Sequence, residues 1–297
     1  MIIAIDHGNS EIKTIHDRFA AGYAAFDHQP PLTNDWIEWG GRFYALATTR
    51  LPYHHDKTQD DSYYILTLFA IGRELVCAHV TNTDVQLAVG LPPRYFAAQK
   101  DAFSDYLLRG HKEVVYRYAG QQFHVRITNV SVFPQCWAAM ITRQEIRDLP
   151  TSVIVDVGGM TVDILRVQYG NPVVNDLHSL QRGVNHLLTD IKEDLEAACG
   201  DAPGESLILN TIAGRPTTLP EKEQAIIQQR ARSFAEEMLY ELANEHHVRA
   251  DREPVYFSGG GAILLQNYLP KSPNVRLIDD PLANAKGYAI TVGAPAV

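Results

Sequence analysis

The segment VIVDVGGMTVDILRV, residues 153–167, consists of two apolar runs separated by glycines. The first run leads into Asp156, the pair Gly158 and Gly159 interrupts the pattern, and the second run starts at Thr161. Short runs rich in Val and Ile, with glycines between them, are typical of a β-strand, a tight turn and a returning strand. The segment, called hairpin 2 below, is therefore predicted to be a β-hairpin.

The turn of hairpin 2 has the residue types that a polyphosphate site needs. Glycine permits positive φ and close backbone approach, so that successive N–H groups can point at one anion. The Thr161 hydroxyl adds a donor, and the Asp156 carboxylate can hold a hydrated Mg²⁺. Taken alone, the pattern D-x-G-G-x-T also fits an ordinary hairpin without a ligand, so a second signal is needed.

The N-terminus, IIAIDHGNSEIKTI at residues 2–15, repeats this plan and is called hairpin 1 below. An apolar run leads to Asp6, and Lys13 lies on the returning strand. The turn contains Gly8, Asn9 and Ser10. The two aspartates are 150 positions apart in a chain of 297 residues, which is a weak internal repeat. Two such hairpins predict two similar domains that grip phosphates from both sides of a cleft.

Two further motifs lie between and after the hairpins. In SVFPQCWAAM, residues 131–140, a predicted strand ends at Pro134 and Gln135 begins a predicted helix. In PVYFSGGGAILLQNYL, residues 254–269, an apolar strand leads through three glycines into a helix. Glycines at such a corner let the backbone lie flat against a base or ribose. Both motifs are individually compatible with purely structural roles.

In this order, the motifs DHGNSEIK, VFPQ, DVGGMTVD and FSGGGA resemble those of the actin, sugar kinase and heat-shock chaperone superfamily. Within it, the chain looks most like the bacterial actin-like plasmid segregation proteins of the ParM/StbA group. The resemblance covers nearly the whole chain. It implies an α/β, actin-like (ribonuclease H-like) two-domain fold with a central nucleotide cleft. Met160 and Gln135 depart from the residues usual in that group, which bears on the hydrolysis rate.

The resemblance also implies domain boundaries. Domain I is expected at residues 1–150, with an insertion subdomain at about 34–84, and a C-terminal helix at 283–297 is expected to pack back on it. Domain II is expected at residues 151–282, with an insertion subdomain at about 186–250.

The site residues follow from the same resemblance. Gln135 would orient the attacking water, and Asp156 is the second residue assigned to catalysis. Asp6 and Asp156 would hold Mg²⁺, mostly through water. The phosphates of ATP, or of GTP as the open alternative, would bind Asp6, Gly8, Asn9, Ser10, Lys13, Gly158, Gly159, Met160 and Thr161. The adenosine would lie against Gly183, Gly259, Gly260 and Gly261.

Periodicity predicts most of the remaining elements. Residues 61–79 form a predicted helix with Ile65, Leu68, Phe69 and Leu75 facing inward, and residues 220–246 form a predicted surface helix. The intervening segment at residues 203–220 is rich in Gly, Thr and Pro and is predicted to be a linker.

Composition limits the function classes. The net charge is −9 with a pI near 5.7, so direct nucleic-acid binding is not expected, because phosphate neutralisation needs a basic face. No segment approaches the roughly 20 apolar residues that span a bilayer, and no basic n-region precedes an apolar run, so we expect a cytoplasmic protein without a membrane partner. Three unclustered cysteines predict buried thiols in a reducing compartment.

The sequence is compatible with three functions. The first is an Mg²⁺-dependent ATPase that polymerises into filaments and segregates plasmid DNA, with the chain itself and a ParR-type DNA-binding adaptor as partners. The second is a small-molecule kinase of the same superfamily, which would need a substrate-side general base that no motif supplies. The third is a non-polymerising, ATP-binding regulator; a chaperone of this superfamily would carry a further peptide-binding domain.

Overall fold

The computed structural model describes residues 1–47, 49–52 and 54–294. In chain order the strands are β1 (Ile2–His7), β2 (Glu11–Lys13), β3 (Arg18–Ala20), β4 (Tyr23–Phe26), β5 (Trp36–Trp39), β6 (Arg42–Leu46), β7 (Asn82–Leu91), β8 (Glu113–Tyr118), β9 (Gln121–Pro134), β10 (Thr151–Val157), β11 (Val162–Gln168), β12 (Asn171–Leu180), β13 (Val255–Ser258) and β14 (Val275–Leu277). The helices are α1 (Ser62–Cys77), α2 (Pro93–Leu108), α3 (Trp137–Ile141), α4 (Gln144–Arg147), α5 (Val184–Cys199), α6 (Glu205–Ile212), α7 (Glu221–Asn244), α8 (Gly259–Leu264) and α9 (Ala283–Thr291). Short 3₁₀ helices lie at Arg109–His111 and Gln266–Tyr268.

The chain divides into two compact units. Unit 1 contains Met1–Thr142 together with Leu282–Val297, and unit 2 contains Arg143–Pro281. Residues 48, 53 and 295–297, which fall within the predicted first domain and its closing helix, lie outside the described residues. No helix in the described part of the chain is long and apolar enough to cross a membrane.

Unit 1 is built on a nine-stranded mixed sheet in the order β3-β2-β1-β7-β9-β8-β5-β6-β4. At its centre β1 runs parallel to β7, and β7 runs parallel to β9. The run from Leu87 to Leu91 is apolar and buried, as expected where both faces of a parallel strand are covered. The inward residues predicted for α1 are all buried. That helix is in fact buried on nearly every side, and Tyr64, Leu66 and Ile71 are buried as well.

The C-terminal helix α9 belongs to unit 1, where it contacts α3, β1 and β7. Gly287 is required at the contact with α3, because a Cβ at this position would overlap the backbone of Ala138. Tyr288 is fully buried and stacks on Phe133 of β9, with ring centroids 5.8 Å apart. The short helix α3 is therefore held between the end of β9 and α9.

Unit 2 is built on a five-stranded sheet in the order β12-β11-β10-β13-β14. Strands β10, β13 and β14 are parallel, and β11 and β12 are antiparallel to their neighbours. The apolar faces of α5 and α7 close one core with this sheet. The predicted linker at residues 203–220 is wrong in part, because it contains α6. Ile208 and Ile212, one helical turn apart, are both fully buried in this core. The stabilisation from burying them outweighs the helix-breaking tendency of the Gly- and Pro-rich flanks.

The cysteine prediction is also wrong in part. All three thiols are free, but only Cys136 is buried; Cys77 and Cys199 are exposed. The exposed pair ends α1 and α5, so each thiol lies at the last residue of a helix. The last residue of a helix need not face the core, so the apolar periodicity of the helix does not predict whether that residue is buried.

Candidate functional site

Hairpin 1 places Asp6 opposite Lys13, because β1 and β2 pair antiparallel in that register. The carboxylate of Asp6 is buried, and the Lys13 ammonium lies 3.8 Å from it. Gly8 is needed for close approach: a Cβ there would lie 2.5 Å from the Glu11 carbonyl oxygen. Gly8 is not among the residues with positive φ, so the steric requirement of the turn, rather than a left-handed backbone, selects this glycine.

The sheet brings Gln135 to hairpin 1. Asp6 and Gln135 lie at the carboxyl ends of β1 and β9, which run in the same direction, and side chains from the ends of parallel strands meet at one edge of a sheet. The Gln135 side-chain amide donates a 2.6 Å hydrogen bond to Asp6 Oδ1. The predicted phosphate-binding residues of hairpin 1 and the predicted water-positioning residue thus form one cluster within unit 1.

The backbone at Gln135 differs from the prediction. Gln135 does not begin a helix: Cys136 has φ of 68° and ψ of −55°, and α3 starts only at Trp137. The Trp137 N–H donates to the Gln135 carbonyl at 2.7 Å, which closes a three-residue γ-turn of the strained, positive-φ kind. Asn284, in the first turn of α9, accepts the Cys136 N–H at 3.2 Å. This turn lets the chain reverse directly after Gln135.

Lys57 is a member of the hairpin 1 cluster that the sequence did not indicate. Its side chain is buried and its ammonium donates to the carbonyl oxygen of His7. Burial lowers the pKa of Lys57 to about 8, although the nearby Asp6 carboxylate opposes this shift. His7 itself is fully buried, and its Nε2 bonds Thr67 Oγ1 at 2.8 Å. A lysine in a polar loop gives no sequence signal, which is why it was missed.

Hairpin 2 places two acidic side chains opposite each other. Strands β10 and β11 pair Asp156 with Asp163, and both carboxyl groups are buried. Burial raises the pKa of Asp163 to about 7; the neighbouring Asp156 raises it further, while hydrogen bonds from Ser179 and Thr161 oppose the shift. Asp163 was also missed, but the spacing D-x-G-G-x-T-x-D with a four-residue turn contains the signal, since it pairs the two aspartates in an antiparallel ladder.

The turn of hairpin 2 is tied to the start of α5. Gly158 N–H donates to the Thr161 carbonyl at 2.9 Å, which closes the turn. The first amides of α5, at Val184 and Asn185, donate to the carbonyl oxygens of Gly158 and Gly159. Gly183 is needed at this contact, because a Cβ there would lie 2.6 Å or less from both carbonyl oxygens. Gly183, predicted to contact adenosine, therefore packs on the turn of hairpin 2.

Side chains of both turns also form hydrogen bonds, beginning with Met160 and Thr161 of hairpin 2. Met160 Sδ accepts a hydrogen bond of 3.4 Å from Asn185 of α5. The Thr161 hydroxyl donates to Asp163 Oδ2 at 3.3 Å. In hairpin 1, Asn9 Oδ1 accepts a 3.0 Å hydrogen bond from Tyr63. Both turns are thus held in place by side chains outside the predicted phosphate-binding set.

The glycine corner between β13 and α8 also lies against hairpin 2, because β13 pairs with β10 and brings Ser258 opposite Asp156. Gly259 has φ of 88°, and a Cβ there would overlap the Asp156 carboxylate. A Cβ at Gly261 would lie 2.6 Å from side-chain atoms of Val157 and Val184. Gly260 alone of the three faces open space and is exposed. Packing thus accounts for two of these glycines.

The structure collects the site residues predicted from sequence into two clusters, one in each unit. Unit 1 holds Asp6, Gly8, Asn9, Ser10, Lys13 and Gln135. Unit 2 holds Asp156, Gly158, Gly159, Met160, Thr161, Gly183, Gly259, Gly260 and Gly261. With Lys57 added, the first cluster combines an acid with two ammonium groups and suits an anion, whereas the second, with Asp163 added, pairs two acids and suits a cation.

Two family models match the chain. Residues 4–137 match the model described as "Actin like proteins N terminal domain", and residues 154–271 match "Archaeal actin homologue MreB-like, C-terminal". No curated protein sequence matches the chain.

Among solved structures, an archaeal actin homolog, Ta0583, is 20% identical with a TM-score of 0.75, and the alignment covers 98% of each chain. The ParM of a 15-stranded filament from Clostridium botulinum has 18% identity, a TM-score of 0.75 and the same coverage. Bacillus thuringiensis ParM with ATP has 12% identity, a TM-score of 0.71 and 97% coverage of each chain.

Proposed function

Because this chain belongs to the actin-like proteins and has the α/β actin-like fold expected from its sequence, we propose that it is an ATPase whose filaments form and collapse with its nucleotide state. The observation that carries the proposal is the pair of buried aspartates, Asp6 and Asp156, each at the turn of a glycine-containing hairpin. Each turn presents backbone amides that can bind phosphate oxygens.

Both hairpins supply phosphate-binding amides and a metal-binding carboxylate in this proposal. The turn amides at residues 8–10 and the Lys13 ammonium bind phosphate oxygens, and the turn at residues 158–161 does the same from unit 2. Asp6 and Asp156 fit the role of Mg²⁺ ligands through water, because each is a buried carboxylate at a strand end. When bound, Mg²⁺ neutralises charge that develops on the phosphates during transfer.

Gln135 is the residue that we assign to hydrolysis. An amide cannot act as a strong base, so its contribution is to orient the attacking water by hydrogen bonds. Its bond to Asp6 fixes the side chain next to the phosphate turn of hairpin 1. Asp156, the second residue assigned to catalysis, acts by holding the metal-bound water shell.

The biological role that we propose is plasmid segregation in the cytoplasm. A nucleotide can favour an assembly-competent state only through a difference in affinity between states, and contacts to the terminal phosphate supply it. The net charge of −9 makes the monomer a poor DNA ligand, so cargo would attach through a basic ParR-type adaptor. An adaptor array on repeated DNA sites would hold a filament through many weak contacts.

Light scattering and negative-stain microscopy test this function. Filaments should form at micromolar protein with Mg-ATP or a non-hydrolysable analogue, and they should be absent when nucleotide is removed. With ATP the scattering should decay as phosphate is released, whereas with the analogue it should persist. Competition between ATP and GTP identifies the preferred base.

Asp156→Asn is the matched control for this assay, because it preserves shape and removes the charge. A parent protein that stays monomeric in every nucleotide state contradicts the filament proposal. If such a protein also phosphorylates a small-molecule acceptor, the function is that of a kinase; if it binds ATP and transfers nothing, it is a regulator.

A further inference from the structure

The loop that precedes α1 inserts one charged side chain into the interior of unit 1. Lys57 is only 5% exposed, and its ammonium donates to the His7 carbonyl, one residue before the turn of hairpin 1. The same ammonium lies 4.9 Å from the centroid of the Tyr63 ring. The loop and the phosphate turn are therefore connected through one buried cation.

Burying an ammonium is costly unless other groups compensate for the lost hydration. The carbonyl oxygen of His7 and the face of Tyr63 each compensate in part, and the acid whose charge acts on Lys57 is Asp6. Asp6 already faces Lys13 at 3.8 Å. Asp6 thus interacts electrostatically with two ammonium groups, and Lys13 already pairs with it, so neutralising Asp6 does not by itself account for Lys57.

A hydrogen bond to the His7 carbonyl also has a geometric effect. The peptide that contains this carbonyl continues into the N–H of Gly8, the first amide of the turn. Holding the carbonyl fixes the plane of that peptide, and so fixes the direction in which the Gly8 N–H points. Tyr63 holds the next residue by its hydroxyl bond to Asn9, so the two residues orient consecutive parts of the turn.

We propose that Lys57 is a positioning residue of the phosphate site: it aims the first amide of the hairpin 1 turn and supplies a fixed positive charge that favours a polyphosphate. The inference rests on the proposed nucleotide function. Lys13 lies on the returning strand with 13% of its side chain exposed. Lys57 is more deeply buried and acts through the backbone and through its field.

The effect of the Lys57 charge can be separated from the effect of its packing by comparing the affinities for two ligands. ATP without metal carries about −4 and Mg-ATP about −2, and Coulomb energies scale with this charge. If Lys57→Met removes a favourable charge, a loss of about 10-fold in Mg-ATP affinity should accompany a loss of about 100-fold for metal-free ATP. If only packing or turn geometry is damaged, both affinities should fall by the same factor.

Titration calorimetry of the full chain, with Mg²⁺ or with a chelator at constant ionic strength, measures both affinities. Tyr63→Phe is the geometric control, because it removes the hydrogen bond to Asn9 without changing charge. It should lower the affinities for Mg-ATP and for metal-free ATP by the same factor. Lys100→Met on α2 controls for net charge, because Lys100 is exposed, and it should change neither affinity by more than about 2-fold.

The inference is overturned if Lys57→Met binds both forms of ATP like the parent. A loss of the same factor for each overturns the charge contribution and leaves only the aiming of the Gly8 amide. Lys57→Gln, which retains a donor but no charge, repeats the comparison if the Met variant does not fold, as judged by circular dichroism. A parent protein with no measurable affinity for any nucleotide overturns the proposed function and this inference together. A parent that binds, with a variant that is unchanged, overturns the inference alone.

Discussion

Hairpin 1, at Asp6, and hairpin 2, at Asp156, share a strand–turn–strand plan but surround their aspartates with side chains of opposite charge. Asp6 lies close to Lys13 and Lys57 and accepts a hydrogen bond from Gln135. Asp156 instead faces a second carboxyl group, that of Asp163. We infer a division of tasks in which hairpin 1 mainly attracts the phosphates and hairpin 2 mainly attracts the metal ion.

The hairpins also differ in where their partners come from. The acid opposite Asp156 lies on the returning strand of the same hairpin, seven residues away in the chain. The amide that bonds Asp6 comes from residue 135, directly before a strained turn at Cys136 that α9 contacts through Asn284. Hairpin 2 is thus largely self-contained, whereas hairpin 1 depends on distant segments of unit 1.

The largest effect should come from hairpin 2. Asp156→Asn keeps the shape that packs against Gly259 but removes the charge that would hold the metal-bound water. We expect turnover to fall by about 10³-fold, because preorganised charge at a reacting phosphate is worth several kcal/mol. Phosphate release measures turnover, and circular dichroism checks that the variant folds. Unchanged Mg-ATP affinity together with unchanged hydrolysis would remove Asp156 from the site.

A smaller effect is expected at the edge of hairpin 1. Gln135→Ala should slow hydrolysis by about 10²-fold, the low end for a group that assists proton transfer or positions the nucleophile. Nucleotide affinity should change little, because Gln135 is proposed to contact water rather than phosphate. Filaments of the variant should outlast those of the parent after ATP is exhausted. Equal phosphate-release rates in variant and parent would contradict the assignment.

The acid pair of hairpin 2 should make stability depend on pH. In the folded state the pKa of Asp163 is about 7, against about 3.9 in an unfolded chain. A raised pKa means that the native state retains a proton that the unfolded state has released. The contribution of Asp163 to the free energy of unfolding is therefore complete below about pH 4 and is lost as pH rises to about 7. The loss is on the order of 3 kcal/mol.

Urea denaturation of the nucleotide-free protein with chelator, at several values between pH 4 and 7, tests this dependence. Asp163→Asn mimics the protonated acid and should flatten the curve relative to the parent. Asp84→Asn is a control at an exposed carboxylate outside both hairpins and should leave the slope over this range unchanged. A parent curve with the same slope as that of Asp163→Asn would contradict the raised pKa.

The smallest effect concerns the strained turn next to hairpin 1. Cys136 has φ of 68°, a conformation that glycine adopts without a Cβ penalty. Cys136→Gly should be more stable than Cys136→Ala by about 1 kcal/mol, because relief of strain exceeds the loss of one buried methyl. Both variants lack the thiol, so the difference between their urea midpoints reports mainly the backbone strain at position 136. A less stable glycine variant would indicate that the turn is not strained.

Local features of hairpin 1 and hairpin 2 were predictable from sequence because a turn is decided by residues close together in the chain. Asp6 with Lys13, and Asp156 with the glycines that follow it, need no information from elsewhere. The order of the four motifs was enough to identify the actin-like fold, and periodicity was enough to place α1 and α7.

Only the tertiary structure decided what lies next to these turns. Lys57 and Gln135 reach hairpin 1 across 50 and 129 positions of sequence, respectively, through a polar loop and a sheet edge that carry no periodic signal. The helix α6 forms inside a segment of linker-like composition because Ile208 and Ile212 complete the core of unit 2. The physical reason is common to these cases: burial and the pairing of distant groups depend on contacts that exist only after the chain has folded, whereas a turn depends on its own few residues.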